Sequence, residues 1–442
     1  MDLYNEYEAK THVLLVSGVK EKDHLSILKI LEKGIPSFLI SPIAIVPNRQ
    51  KDYEIYLKDL ESKYKLNKYR IYYFEEIQEL YPELEFKNVF LDNQYAYSIP
   101  NYFLTICSLA IARSEAINSE HLWIPWTEKE LECLTSSVKD YIRELNNLAI
   151  IGTSEKYNLS IKFPILKISN YSLIINEVPS NLLNNKALIM FSGGLDCTVA
   201  AYIMRKLGKN ISLYNVQYGQ SNRNQEKYSI EKIVSELNQY QNTPYEQISI
   251  DCIKEIGGSA LLDDNVELKK ENSKLEYVPF RNTNLLNIGI IYALKNNIKY
   301  IVTGGHHDDT LSPDNRLPYF KCFQKLLNLQ YCSKEIIMYP VLLHLGGKSE
   351  LIYIGQQLNV DFKHCWSCHN YVREEDVGDA CKACGKCGNC STRYHAFKRV
   401  GLNDPIDYYK IPPAREKWHG WTLDSKELLD KLDITFPNNL TY

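Results

Sequence analysis

Two short stretches of this chain hold residue types whose spacing could do chemistry. The first is Phe191-Ser192-Gly193-Gly194-Leu195-Asp196-Cys197-Thr198. It follows an apolar run and opens an amphipathic one, the pattern of a strand, a turn and a helix. Paired glycines let a backbone approach a phosphate closely and take dihedrals closed to other residues. Ser192 and Thr198 add hydroxyl donors, and the N–H groups of a helix start form an anion site aided by the helix dipole. No lysine follows the glycines as in G-x-x-x-x-G-K-[ST], so this is not the loop of kinases and GTPases. The second stretch is rich in cysteine. Six of the twelve cysteines lie between residues 365 and 390: Cys365, Cys368, Cys381, Cys384, Cys387 and Cys390. Repeated C-x-x-C spacing reads as a metal site, and a structural zinc takes four ligands in a tetrahedron. Four regularly spaced cysteines also suit an iron–sulfur cluster. Six exceed four, so either two are not ligands or a second metal binds.

Composition bounds the function class. The 442 residues suggest two or three domains, at roughly 100–200 residues each. Lys plus Arg is 51 and Asp plus Glu is 54, a net charge of -3. That balance argues against a coat for nucleic acid or for an anionic membrane, and direct nucleic-acid binding is not expected. A long chain with clustered cysteines is not a secreted disulfide scaffold. The start, Met1-Asp2-Leu3-Tyr4, lacks the charge and apolar run of a signal peptide. The longest apolar stretch, near residues 102–112, is too short to span a bilayer. The expectation is a cytoplasmic protein with reduced thiols and no membrane partner.

The elements that must position these residues follow from periodicity. The chain is expected to divide near residue 180, in the polar stretch 177–186 with Pro179 and Ser180. Beyond it, apolar runs at 188–191, 211–216, 245–250 and 300–303 alternate with helical patterns at 199–207, 229–237 and 285–294. That alternation predicts a doubly wound parallel sheet with helices on both faces. The polar segment 257–274 interrupts it and reads as a surface loop or flap with no assignable structure. Before residue 180 the pattern predicts strands at 12–17 and 40–46, helices at 23–31 and 128–148, and a hairpin over 160–175. This is read as an additional N-terminal α+β domain of unknown role. No motif in it carries chemistry, and Asp2 excludes the processed N-terminal cysteine of a fused glutaminase.

The glycine loop resembles the S-G-G-x-D-S signature of the PP-loop ATP pyrophosphatases, with Cys197 in place of the last Ser. Trp366-Ser367-Cys368-His369, then Cys384-Gly385-Lys386-Cys387-Gly388-Asn389-Cys390-Ser391-Thr392-Arg393 and Ala396-Phe397, resemble the C-terminal zinc element of the QueC family, the 7-cyano-7-deazaguanine synthases. Further blocks agree in order: Gln217-Tyr218-Gly219-Gln220 with Arg223, Val278-Pro279-Phe280-Arg281-Asn282, Thr303-Gly304 with Asp309, Pro313-Asp314-Asn315-Arg316, and Lys348 with Glu350. Alone, His306-His307-Asp308-Asp309 reads as a solvated polar loop or a metal site.

The resemblance implies a division into residues 1–180, a PP-loop ATP-binding domain over 181–360, and a zinc-binding element with a tail over 361–442. It implies Zn2+ on Cys368, Cys384, Cys387 and Cys390, leaving Cys365 and Cys381 as extras. His369 stands where the family has Tyr, and reads as a spare ligand, a substrate contact or a solvated residue. ATP with Mg2+ is expected on Phe191, Ser192, Gly193, Gly194, Leu195, Asp196, Cys197, Thr198, Tyr218, Gly219, Gln220, Thr303 and Gly304, with Asp196, Arg281 and Lys348 as catalytic residues. The implied reaction is adenylation of 7-carboxy-7-deazaguanine with loss of pyrophosphate, then amide and nitrile formation with an amine. The departures at Cys197, Gln217 and Asn222, and the 180 residues in front, resemble the QueC-like (QatC-like) proteins of anti-phage defence operons. That implies a protein acceptor or operon partner. The competing expectations are an ordinary synthase using ammonia, a non-catalytic nucleotide-binding module that recruits partners, and another PP-loop activity such as tRNA thiolation. The oligomeric state, homo-oligomer included, stays open.

Overall fold

The computed structural model describes residues 10–47, 51–81, 99–154, 157–167, 183–309, 312–414 and 426–436. The chain forms two compact units. One comprises residues 1–180 with 279–287 and 325–334; the other comprises 181–278, 288–324 and 335–442. Of the expected linker over 177–186, residues 177–182 lie outside the described residues, and 184–186 are instead the first residues of a strand, Asn184–Met190. Among those described, no helix is long and apolar enough to cross a membrane.

The first unit is built on a five-stranded parallel sheet: β1 (His12–Leu15), β2 (Ile40–Val46), β3 (Arg70–Tyr73), β4 (His121–Trp123) and β5 (Ser160–Lys162), in the order β3-β2-β1-β4-β5. β1 and β2 are buried along their whole length, as continuous apolar runs in a parallel sheet must be. The helices Lys20–Leu31, Lys51–Tyr64 and Tyr102–Ala116 make the crossovers. The expected α+β arrangement is therefore corrected to an interleaved parallel α/β unit. Parallel neighbours require crossover helices, and local alternation does not reveal which strands pair. The expected helix over 128–148 is two, Glu128–Glu132 and Val138–Gly152. Each has its own N-cap: Thr127 in a capping box with Glu130, and Ser137 accepting from the Asp140 N–H. The expected hairpin is absent at its first arm, since Ser160–Lys162 pairs in parallel with β4; residues 168–175 lie outside the described ones.

The second unit has β6 (Asn184–Met190), β7 (Ile211–Gln217), β8 (Tyr245–Ser249), β9 (Ile298–Val302) and β10 (Ile337–Tyr339), in the order β10-β9-β6-β7-β8 and all parallel. The doubly wound sheet expected here is present, and its core includes Ile189, Val199, Ile203, Leu213, Ile233 and Val302. In both units the first strand is central; the next two lie on one side and the last two on the other. The reversal falls beside β6, so the loops after β6 and β9 open side by side, where α/β sheets bind ligands. The segment 257–274 is anchored, contrary to expectation. It contains the short turns Ala260–Leu262 and Lys270–Glu276. Arg223 holds Asp264 through two bonds of 2.9 and 2.7 Å, and the Asn370 side chain brackets the Leu268 backbone.

Two buried charges mark the loop after β1. Lys22 pairs with Glu130. The Asp23 carboxylate accepts from the Ser17 N–H and hydroxyl and the Gly18 N–H, each at 2.8 Å, and from Tyr56 Oη at 3.0 Å. Burial outweighs these bonds and raises Asp23 to about 6, from 3.8. A carboxyl raised on folding adds stability that is complete below the unfolded value and is lost as pH climbs through the folded one. Hydrogen exchange in β1 should therefore show protection falling by up to about 3 kcal/mol between about pH 4 and pH 7 in the wild type. Asp23→Asn should lack this fall. An identical fall in the variant would remove Asp23 as its source.

Candidate functional site

β6 delivers the chain into Phe191–Gly194 and the helix Leu195–Lys206 starts at once. Gly193 has φ 70°, and a Cβ there would sit 3.0 Å from the Ile230 backbone nitrogen and 3.1 Å from Glu226 O. Only glycine fits that turn against the helix Arg223–Tyr240. Gly194 is the N-cap and offers no side chain, so no capping group satisfies the first N–H donors of the helix. Such a terminus is an anion site. Cys197 does not compete for it. Its thiol donates to Gly194 O at 3.2 Å and accepts from the Ser192 N–H at 3.4 Å. Burial pushes that thiol up, so it stays neutral and fastens the loop to itself. Thr198 Oγ1 adds a bond of 2.8 Å to the same carbonyl.

Charged groups converge beside the helix start. The Lys348 ammonium donates to Asp196 Oδ2, and His306 Nε2 lies 3.7 Å from that oxygen and 3.9 Å from Asp309 Oδ1. Lys348 opens the helix Lys348–Gln357, with its own N–H held by Asp308 Oδ2 at 2.8 Å and the Gly347 N–H by Glu350 at 3.0 Å. Asp196 Oδ1 is buried without a hydrogen-bond partner. An orphan carboxylate oxygen fits a hard cation such as Mg2+. Thr303 Oγ1, just past β9, is likewise buried without a partner. A Cβ on Gly304 would lie 3.2 Å from the Cys197 nitrogen, so β9 ends directly against the loop.

The end of β7 and the residues after it brace this arrangement. Gln217 donates to Asn215 at 2.6 Å, and Asn215 donates to Phe191 O at 2.7 Å. Gln220 caps the Tyr218 N–H at 3.0 Å and donates to Glu226 at 2.8 Å. At Gly219, φ is 81° and a Cβ would come within 2.6 Å of Lys254. Arg281 opens the helix Arg281–Lys295, its Nε donates to Asn282 at 3.1 Å, and residues 279–287 belong to the first unit.

Cys368, Cys384, Cys387 and Cys390 bring their sulfurs within 4.8 Å of one another. Cys384 and Cys390 are 3.7 Å apart at Sγ. Two Zn–S bonds of about 2.3 Å at the tetrahedral angle span about 3.8 Å, so the set fits zinc. The N–H groups of Lys386 and Cys387 point at Cys384 Sγ, at 3.2 and 3.4 Å. Bonds from Cys368 and the other two cysteines hold Cys384 well below the usual thiol range. Gly385 makes the turn possible: φ is 66° and a Cβ would strike Lys410 O at 1.9 Å. Cys365 and Cys381 lie outside the cluster, and burial pushes their thiols up to about 12 and about 11. The fully buried Arg393 forks onto Asp404 with bonds of 3.0 to 3.2 Å and donates to the carbonyls of Phe362 and Cys365. His369 is held by Glu276 at 2.6 Å and is not in the cysteine set.

The contacts that sequence reasoning missed are those joining the two motifs. The Trp366 N–H donates to Gly193 O at 3.0 Å, and Asn222 donates to Cys368 O at 3.1 Å and to Glu226 at 2.9 Å. His306, read from the sequence as part of a solvated polar loop or a metal site, is only 4% exposed and lies 3.7 Å from Asp196 Oδ2, which is not the setting of a solvated side chain. Elemental analysis should find one equivalent of bound zinc fewer in Cys384→Ser than in wild type, and the wild-type content in Cys381→Ser. An undiminished content in the first variant, or a loss from the second, would break the ligand assignment.

A family profile described as "Queuosine biosynthesis protein QueC" matches residues 186–401. The 7-cyano-7-deazaguanine synthase of Rickettsia akari (strain Hartford) is 32% identical over 236 residues, covering 50% of this chain and 99% of the relative. That of Sulfurovum sp. (strain NBC37-1) is 33% identical over 237 residues, covering 52% and 100%. That of Haloarcula marismortui is 28% identical over 240 residues, covering 53% and 99%. Essentially whole relatives are thus matched by half of this chain, and the matched region carries the uncapped glycine loop and the four-cysteine cluster. This chain belongs to the QueC family of ATP-dependent ligases.

Proposed function

We propose that the chain adenylates the carboxylate of 7-carboxy-7-deazaguanine and passes the activated acyl group to an amine, giving an amide and then the nitrile. The observation that carries this reading is the open helix start at Gly194 flanked by the Lys348–Asp196 pair. The free N–H donors hold the β- and γ-phosphates of ATP. The substrate carboxylate attacks the α-phosphorus, the bond to the β-phosphate oxygen breaks, and pyrophosphate leaves on the loop. The amine then attacks the acyl carbon and AMP departs with the carboxyl oxygen. Where the amine is ammonia, the primary amide oxygen attacks a second ATP with loss of pyrophosphate, and departure of AMP with that oxygen and of both N–H protons leaves the nitrile. Positioning and charge stabilisation do this work. Lys348 supplies fixed positive charge, and Asp196 keeps the ammonium in place. Asp196 Oδ1 is the group that would hold Mg2+, which would screen the phosphate charge. Zn2+ on the four cysteines is structural, since the closed set leaves no ligand position open.

Incubation with ATP and 7-carboxy-7-deazaguanine should release pyrophosphate and yield a product that mass analysis resolves. Asp196→Ala should lower pyrophosphate release by about 100-fold or more. An unchanged rate would undo the loop assignment.

The finer reading makes the acceptor amine part of a partner protein, in anti-phage defence. It is supported by the first unit, which the family match at 186–401 leaves out, and by Cys197, Gln217 and Asn222. Co-expressed partner proteins should then carry a covalent deazapurine adduct detectable by mass spectrometry. Free nitrile as the sole product would remove the protein acceptor and leave the adenylation standing.

A further inference from the structure

The first unit holds a cluster that the ligase chemistry does not use. His12 opens β1 and His121 opens β4, and the parallel register sets them opposite each other. Their Nδ1 atoms are 3.2 Å apart and their rings are stacked, with centroids at 5.1 Å. Glu120 precedes His121, and one ligand atom from each of the three lies within 4.8 Å of the others. Among the described residues neither imidazole has another hydrogen-bond partner.

We propose that His12, His121 and Glu120 form a second metal site, for a late first-row divalent ion with Zn2+ foremost. Two metal–nitrogen bonds of about 2.1 Å, at angles between octahedral and tetrahedral, place their nitrogens about 3.0–3.4 Å apart. The observed separation of 3.2 Å falls in that interval. Imidazole with carboxylate is the donor set of zinc, nickel and copper, not of magnesium or calcium. The two nitrogens are fixed before any ion arrives. Ser119 locks the strand ends together: its hydroxyl donates to Thr11 O at 2.9 Å and accepts from the Val13 N–H at 3.2 Å. Trp123 stacks on His121 at 5.5 Å. Glu120 is exposed, so rotation of its side chain brings the carboxylate to bonding distance without disturbing the core.

The surrounding charges are mixed. Burial lowers both imidazoles, leaving them with lone pairs to donate near neutral pH, while Glu120 opposes that and Lys33 and Lys162 reinforce it at His121. Three protein ligands leave positions for water or an external ligand, the pattern of an open site, unlike the closed four-cysteine site.

The test is equilibrium dialysis of the full chain against Zn2+, read by elemental analysis and independent of ligase activity. Wild type should hold two equivalents per chain. Cys384→Ser should hold one, at the histidine site. His121→Asn should hold one, at the cysteines. Glu120→Ala, on the surface, should fold normally and weaken the second equivalent by at least about tenfold. Circular dichroism checks the His121→Asn fold. Saturation of wild type at one equivalent, or two equivalents retained at unchanged affinity in both the His121 and Glu120 variants, would overturn the site. The direct Nδ1 contact would then be only a hydrogen bond between two imidazoles.

Discussion

The second unit depends on one deliberately incomplete set of hydrogen bonds. A helix start normally finds a side chain to cap its free N–H groups. At Gly194 none is present, and nearly everything nearby serves to keep the turn in that state. Gly193 is pinned by Trp366, Phe191 is held by Asn215, and Cys197 and Thr198 both turn back to Gly194 O. A cradle that ATP is to fill must be shaped in its absence, because a loop that reorganised on binding would spend affinity on ordering itself.

The zinc element belongs to this device. The cysteine cluster gathers the two ends of residues 368–390. Trp366 and Asn222 tie that segment to the loop and to the helix behind it. Arg393 secures the same segment from the other side. Its guanidinium is entirely buried, so Asp404 and two backbone carbonyls are required to offset its desolvation. A metal on these four cysteines would thus act on the glycine loop through geometry.

The first unit repeats the winding with a different outcome. Ser17-Gly18 follows β1 as Ser192-Gly193 follows β6, and both glycines take positive φ, 81° and 70°. In the first unit the N–H groups of that turn are already occupied by the Asp23 carboxylate. Neither helix start carries a side-chain cap; the difference lies in the turn, where a buried carboxylate takes two N–H groups in the first unit and a neutral thiol takes the Ser192 N–H in the second.

Much of the candidate site was legible in the amino-acid sequence, because the groups concerned are local. The glycine turn, the C-x-x-C ligands and the strand–helix alternation of residues 184–302 each depend on neighbours a few positions away, where chirality, capping and ligand spacing act. The sequence alone also allowed the choice of Cys368, Cys384, Cys387 and Cys390 over Cys365 and Cys381, through resemblance. What required the tertiary structure was long-range. His306 joins Asp196 and Lys348 only because β9 lies beside β6. The first unit was misread as α+β because strand pairing is settled by which apolar faces bury together, not by the run of residues within a strand. His12 and His121 are 109 residues apart and meet only in the register of β1 with β4. Local chemistry is written along the chain, whereas the meeting of distant side chains depends on how the sheets pack, which no single segment encodes.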